Sequence, residues 1–293
     1  MLRVASWQYP IERVASWDAW LAKLEAGFAE AAARGAKLCV VPEYASMELT
    51  ALSPAETLAA QVAALQPLLP AYLEAYAQLA RRHDLVIVGG SFPERLASGE
   101  VRNRARIHAG DAAIVVEKRQ MTRFEAERWG VAAGDGQTVI DLGALGGPNV
   151  TLGVAICYDA EFPLLVRRLV TAGAQIIAVP SCTDSAAGYH RVRIACQARA
   201  LENQCYVIQA PTVGVAPWSI AVDDNVGSAG VYAPPDRGFP DDGVIAVGAY
   251  CEPGWVVADL DLDAVAQVRR DGQVLNHRDW DRALGGELDV RGR

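Results

Sequence analysis

Residues 152–180 read Leu-Gly-Val-Ala-Ile-Cys157-Tyr-Asp-Ala-Glu-Phe-Pro163-Leu-Leu-Val-Arg-Arg-Leu-Val-Thr-Ala-Gly-Ala-Gln-Ile-Ile-Ala-Val-Pro180. Leu152 to Ile156 is a short apolar run ended by polar residues, the pattern of a buried strand. Pro163 is suited to the first turn of a helix, and Pro163 to Ala172 reads as one. Gln175 to Pro180 is a second buried strand. The rhythm continues with a helix over Tyr189 to Asn203 and a strand over Tyr206 to Ala210.

The first half has the same cadence. Arg3 to Trp7 reads as a strand, Trp17 to Arg34 as an amphipathic helix and Leu38 to Pro42 as a strand. A polar loop then leads to an Ala/Leu-rich region, Thr57 to His83, in which Pro67 and Pro70 should break a continuous helix. Leu85 to Gly89 is a buried strand, and charged, Gly-containing residues around Ser98 to Arg104 suggest a hairpin into Arg106 to Ala109 and Ala113 to Lys118. Arg119 to Gly136 lacks a period, and a structureless stretch of that length in a compact domain points to a functional loop. Val226 to Ala233, Val244 to Ala249 and Trp255 to Leu260 read as a strand meander. Alternating helices and buried strands followed by a meander predict a layered α/β domain with a mixed sheet or sheets. No linker divides the chain. The expected domain spans 1–262, and 263–293, polar and loosely patterned, is expected to be a flexible tail or a subunit contact.

With 293 residues, 52% of them hydrophobic, the chain can bury a sizeable core. Lys and Arg number 27 against 35 Asp and Glu, and no basic run forms a patch, so nucleic acid is a poor partner. No apolar stretch is long enough to span a membrane, and the first residues lack a signal-peptide pattern, so the expected location is cytoplasmic. The six cysteines lie mostly in apolar runs and read as reduced thiols.

A Walker loop, Gly-x-Gly-x-x-Gly, His-Glu-x-x-His, Cys-x-x-Cys and Gly-x-Ser-x-Gly are all missing. The four His are far apart, so neither a metal nor a cofactor is expected. What remains is a set of polar residues where buried strands end, the place where α/β folds bind ligands. Glu43 follows Leu-Cys-Val-Val-Pro, Lys118 follows Ile-Val-Val-Glu, and Cys157 follows Gly-Val-Ala-Ile. Taken singly, a Glu or Lys at a strand end is usually a solvated charge and a Cys there a small buried hydrophobe. The turn leading to Pro163 distinguishes Cys157, because it places backbone N–H groups beside the sulfur.

In that order and at these separations, Val-Pro-Glu43-Tyr, Glu-Lys118-Arg-Gln-Met-Thr-Arg-Phe-Glu125 and Gly-Val-Ala-Ile-Cys157-Tyr-Asp resemble the nitrilase superfamily of carbon–nitrogen hydrolases. Ala198-Arg-Ala-Leu-Glu-Asn203-Gln and the Gly227-Ser-Ala-Gly230 run extend the resemblance over residues 1 to about 262. It implies a four-layer α-β-β-α sandwich with two mixed sheets, and protomers that pair through helices, as a dimer or a multiple of dimers. It also implies a Glu-Lys-Cys triad on Glu43, Lys118 and Cys157, with a second glutamate most simply on Glu125, seven residues after the lysine, and Glu127 as its rival. Lys118-Arg-Gln-Met departs from the family's frequent Lys-x-His-Leu. Cys-Tyr-Asp, in place of Cys-Trp-Glu, tilts the expected substrate toward amides, carbamoyl compounds included, and away from nitriles.

Cys157 then needs a base and a positive field to become a nucleophile, and Glu43 and Lys118 supply them. The backbone N–H of Tyr158 is the expected oxyanion donor. Arg123, Arg128 and Trp129 on one segment, and Thr183, Tyr189, His190 and Arg191 on another, are the candidate substrate contacts. Arg would pair with a substrate carboxylate, although structural ion pairs explain these residues equally well. Trp218 and Trp255 read as core or interface. Three other schemes compete: Cys157 activated by His190 and Asp184, acyl transfer to an amine by the same triad, and a non-catalytic binding module.

Overall fold

The computed structural model describes residues 1–284. The first half contains β1 (Leu2–Pro10), α1 (Trp17–Ala33), β2 (Leu38–Val40), α2 (Leu58–Leu65), α3 (Leu69–His83) and β3 (Val86–Val88). It continues through β4 (Phe92–Arg95), β5 (Val101–Ala109), β6 (Ala112–Glu117) and the short β7 (Val131–Ala132). The second half contains β8 (Val139–Asp141), β9 (Thr151–Val154), α4 (Pro163–Thr171), β10 (Ile176–Ser181), α5 (Ala186–Asn203) and β11 (Tyr206–Val215). β12 (Asp224–Asn225), β13 (Gly230–Tyr232), β14 (Val244–Val247), β15 (Gly254–Leu260), α6 (Leu262–Asp271) and α7 (Asn276–Asp279) complete it.

β1, β2 and β3 are parallel neighbours, flanked by antiparallel β15 on one side and the β4–β5–β6 meander on the other. β9, β10 and β11 form the second parallel set, flanked by antiparallel β8 and β13. The two sets are the two expected mixed sheets, and they touch at the end of β1. There Tyr9 and Pro10 of β1 pair in parallel with Thr212 and Val213 of β11, which links the 15 strands into one hydrogen-bonded network.

Alternation along the strands explains the packing. In β2, Leu38 and Val40 face one hydrophobic cluster while Cys39 faces another. The second cluster holds Trp20, Leu24 and Phe28 of α1 with Tyr72, Tyr76 and Leu79 of α3. The first cluster runs on from Leu38 and Val40 to β9–β11 and to Val166 and Leu169 of α4 and Val192 and Cys196 of α5. Both faces of these strands are buried, which is why they read as continuous apolar runs.

Several local expectations change. Ala45–Leu52 is a largely buried 3₁₀ helix, not a polar loop. Pro67 lies in a single 3₁₀ turn and Pro70 in the first turn of α3, where a missing N–H costs no helical bond. The stretch 119–136 contains a π-helical turn, Glu125–Trp129, and β7. Val226 is drawn out of the late strand because its N–H donates to Thr183 O and its carbonyl accepts from Thr183 Oγ1. Beyond Leu260 the chain is helical: Val265 and Val268 of α6 are buried, and Gln204 Nε2 donates to the carbonyls of Val268 and Val274. Of the expected tail, 263–293, the last part, 285–293, lies outside the described residues. Among the described residues no helix is long and apolar enough to cross a membrane.

Candidate active site

The ends of β2, β6, β9 and β10 deliver four segments to one site. Val41 N–H still donates to Val88 O beyond the end of β2, and Glu43 follows two residues later. Tyr44 takes a left-handed backbone, φ 55°. Gly90 closes against this turn, where an added Cβ would lie 2.9 Å from Pro42 O. Lys118 follows β6, its N–H donating to Asn103 O and its carbonyl accepting from Gly134 N–H. After β9, Ala155 N–H donates to Ala178 O, and the chain turns sharply at Cys157, φ 50°. A non-glycine residue in that region costs about 1–2 kcal/mol, which the surrounding packing offsets. Cys182 and Thr183 follow β10.

These turns bring Glu43, Lys118, Glu125 and Cys157 together, each 5% exposed or less. Lys118 Nζ donates to Glu43 Oε1 at 2.7 Å and to Glu125 Oε2 at 2.6 Å. Asn103 Nδ2 donates to Glu43 Oε1 at 2.8 Å and to Glu125 Oε1 at 3.3 Å. Tyr44 Oη donates to Glu125 Oε1 at 2.8 Å, and Thr122 donates to Glu125 Oε2 from both its N–H and its hydroxyl at 2.9 Å. The Cys157 thiol donates to Cys182 O at 3.8 Å, and the Glu43 carboxylate lies close enough for its charge to act on the sulfur.

The electrostatics follow from two carboxylates sharing one ammonium out of water. Burial pushes Glu43 up to about 7; Lys118 opposes this and Glu125 adds to it. Burial also works to raise Glu125, but Lys118, Thr122 and Tyr44 win and hold it below the usual carboxylate range. Burial alone would discharge Lys118, yet the two carboxylates outweigh it and keep its pKa well above the ordinary lysine value. Burial, with the charge of Glu43, pushes the Cys157 thiol well up. At rest the cluster is therefore a neutral thiol beside a carboxylate that titrates near neutrality, with a fixed ammonium and a fixed second carboxylate behind it.

The cluster opens into a cavity of about 790 Å³. Tyr158, Thr183 and Arg123 line it, as do Arg128, Trp129, Asp184 and Arg191. Tyr189 does not: its side chain is buried beside His190 and Tyr250. His190 does not line the cavity either, whereas Glu43 lines it together with Cys157. Glu127 faces solvent and pairs with Arg123 at 2.8 Å, which leaves Glu125 as the glutamate at the lysine. Trp255 stacks on Trp7 and Trp218 packs beside the same core. Among the described residues no cluster of three or more His, Cys, Asp or Glu could hold a metal.

Sequence reasoning missed Tyr44, Asn103, Thr122 and Asp159. Asn103 was visible as a polar residue on the buried face of Val101-Arg-Asn-Arg-Ala105, and Thr122-x-x-Glu125 has capping-box spacing. Asp159, 4% exposed, accepts backbone N–H groups from Arg119, Gln120 and Ile156 and so ties the turn after Lys118 to the Cys157 turn.

The structure is a mixed α/β fold with a thiol, carboxylates and an ammonium buried at strand ends, and the carbon-nitrogen hydrolase family model matches residues 3–270. The chain belongs to that family, hydrolases of carbon–nitrogen bonds other than peptide bonds. It is 30% identical over 280 residues to the probable hydrolase YhcX of Bacillus subtilis, covering 95% of this chain but only 53% of that one. It is 31% identical over 262 residues to human deaminated glutathione amidase, covering 85% and 74% of the two chains. The structure of Saccharomyces cerevisiae Nit3, a nitrilase-superfamily member, superposes with a TM-score of 0.68 at 21% identity over 92% of this chain and 93% of that one.

Proposed function

We propose that this chain hydrolyses a small amide through a thioester on Cys157. The observation that carries the reading is Glu43, whose carboxylate accepts from Lys118 at 2.7 Å and lies close enough to the Cys157 thiol for its charge to push the thiol's pKa up. Glu43 takes the proton as sulfur bonds to the carbonyl carbon. Lys118 has three N–H donors and spends two on Glu43 and Glu125, leaving the third for the oxyanion together with the backbone N–H of Tyr158. Collapse breaks the C–N bond, and Glu43 passes its proton to the departing nitrogen. Water then attacks the thioester, giving its proton to Glu43, and the C–S bond breaks as that proton returns to sulfur. Glu125, held by Tyr44, Asn103 and Thr122, fixes Lys118. The amidase name of the human relative favours an amide over a nitrile as the substrate class.

The test is intact-mass spectrometry after brief incubation with a panel of small amides, carbamoyl amino acids and nitriles, beside Cys157→Ala. An acyl adduct that requires Cys157, with amine or ammonia released, is the expected result. Turnover surviving in Cys157→Ala would overturn the mechanism.

A further inference from the structure

One wall of the cavity is a loop rather than a strand end. Ile220, Ala221, Asp223 and Asp224 contribute to it, and Leu58 of α2 lines the cavity as well. The loop is closed on itself, since Ala216 N–H donates to Asp223 O and Ser219 N–H to Ala216 O. On the inner side Asn225 Nδ2 donates to Val222 O and Asn225 Oδ1 accepts from the Cys182 thiol. Gln61 of α2, which is fully buried, holds the loop's backbone from the side of α2. Gln61 Nε2 donates to Trp218 O at 2.9 Å and to Ala55 O at 3.3 Å, while Gln61 Oε1 accepts from Ile220 N–H at 3.1 Å.

A buried primary amide is costly unless its donors and acceptor are used, and here both donors and the acceptor are spent on backbone. The two groups it holds, Trp218 O and Ile220 N–H, bracket the point where the loop turns Ile220 toward the cavity. Ile220 is half exposed and has no strand to hold it. The same helix carries Leu58 into the cavity, so α2 fixes two apolar contacts with one side-chain anchor.

We propose that Gln61 is a positioning residue for substrate selection: by fixing the Trp218–Ile220 backbone it sets an apolar wall, Leu58 with Ile220 and Ala221, that limits the bulk of the group carried beside the scissile carbonyl. The proposal rests on the reading of Cys157 as nucleophile. It assigns the substrate a compact apolar portion beside its amide. Gln61 touches none of the reacting atoms, and its effect is on fit rather than on the chemistry of the thiol.

The experiment measures the rates of Cys157 alkylation by iodoacetamide and by the bulkier N-phenyliodoacetamide, located by peptide mass, in the full chain. The expected result for Gln61→Leu is a bulky-to-small rate ratio moved at least threefold toward that of a free small-molecule thiol, with the iodoacetamide rate within about twofold of the parent. Ile220→Ala, which removes an exposed side chain without burying anything, is expected to move the ratio the same way, and Gln61→Glu, which keeps the acceptor for Ile220 N–H, to move it less than Gln61→Leu. An unchanged ratio in a folded Gln61→Leu and in Ile220→Ala overturns the proposal, as does a parallel change in both rates. Failure of Cys157 to alkylate in the parent would instead count against the nucleophile itself.

Discussion

Glu43 and Lys118, 75 residues apart in the sequence, meet at 2.7 Å with side chains 2% and 1% exposed. Because Glu125 also touches Lys118, two carboxylates share one ammonium, and the cluster carries a net negative charge whenever Glu43 is ionised. Removing the ammonium would leave two buried carboxylates bridged only by neutral donors. Breaking a buried pair in this way costs about 3–5 kcal/mol. Lys118→Met is expected to lose turnover by roughly a hundredfold or more and to be destabilised at pH 8 far more than at pH 5, where a proton can replace the lost charge. Denaturant melts at the two pH values measure this. Equal losses at both would show that Lys118 acts through packing rather than charge.

Glu43 gives the opposite stability result. Its pKa in the fold, about 7, lies above its ordinary value of 4.5, so between those values the folded state holds more proton than the unfolded. Stability from this group is fully present below the ordinary value and is lost as pH rises through about 7. Glu43→Gln removes the charge that causes the loss. It is expected to melt higher than the parent at pH 8 and to lose that advantage by pH 4.5, while turnover falls roughly a hundredfold or more at either pH. The parent's own activity should fall as pH drops below about 7, as the base is protonated. A flat profile from pH 8 to pH 5 would exclude Glu43 as the base.

Glu125 and Glu127 separate cleanly. Glu125→Gln keeps the shape but weakens the hold on Lys118 Nζ and is expected to cut turnover by at least tenfold. Glu127→Gln breaks only a surface pair with Arg123, a contact worth about 0–1 kcal/mol, and is expected to leave kcat within twofold. Steady-state kinetics on the two variants decides between them, and a reversed order would move the fourth role to Glu127.

The strand ends that carry Glu43 and Cys157 were legible because β2 and β9 are buried on both faces and read as apolar runs with an abrupt polar end, whereas Lys118 ends β6, a partly exposed antiparallel strand legible from its Ile-Val-Val-Glu composition. Glu125 is the simpler sequence choice over Glu127 through its match to the family pattern, since both lie in a π-helical turn whose facing no simple period predicts. Tyr189 was placed with the substrate because it follows β10, but an N-cap at Ser185 starts α5 so that Tyr189 points into the protein. Ala45–Leu52 was missed because its buried Glu48 looks like a loop residue in sequence, whereas in the fold it is neutralised by Lys23 at 2.5 Å and bonded to Tyr9. Polar residues whose partners are remote in sequence carry no local signal of burial.

Asp159 extends that point to the reacting geometry. Burial pushes its carboxyl up to about 6, although three backbone N–H groups pull it down. At pH 8 the charged form is therefore held at a cost, and Asp159→Asn relieves it while turning one acceptor oxygen into a donor that must face an N–H of Gln120 or Ile156. The two effects oppose each other, so stability at pH 8 should change by only about 1 kcal/mol. Registration between the Lys118 and Cys157 turns has no such compensation, and a misplacement of an ångström in reacting groups can cost about a hundredfold. Asp159→Asn is accordingly expected to keep its melting temperature within a few degrees while kcat falls at least tenfold. Thermal melts and steady-state rates on one preparation measure both, and full activity in a stable Asp159→Asn would show that the Cys157 turn holds its geometry without this carboxylate.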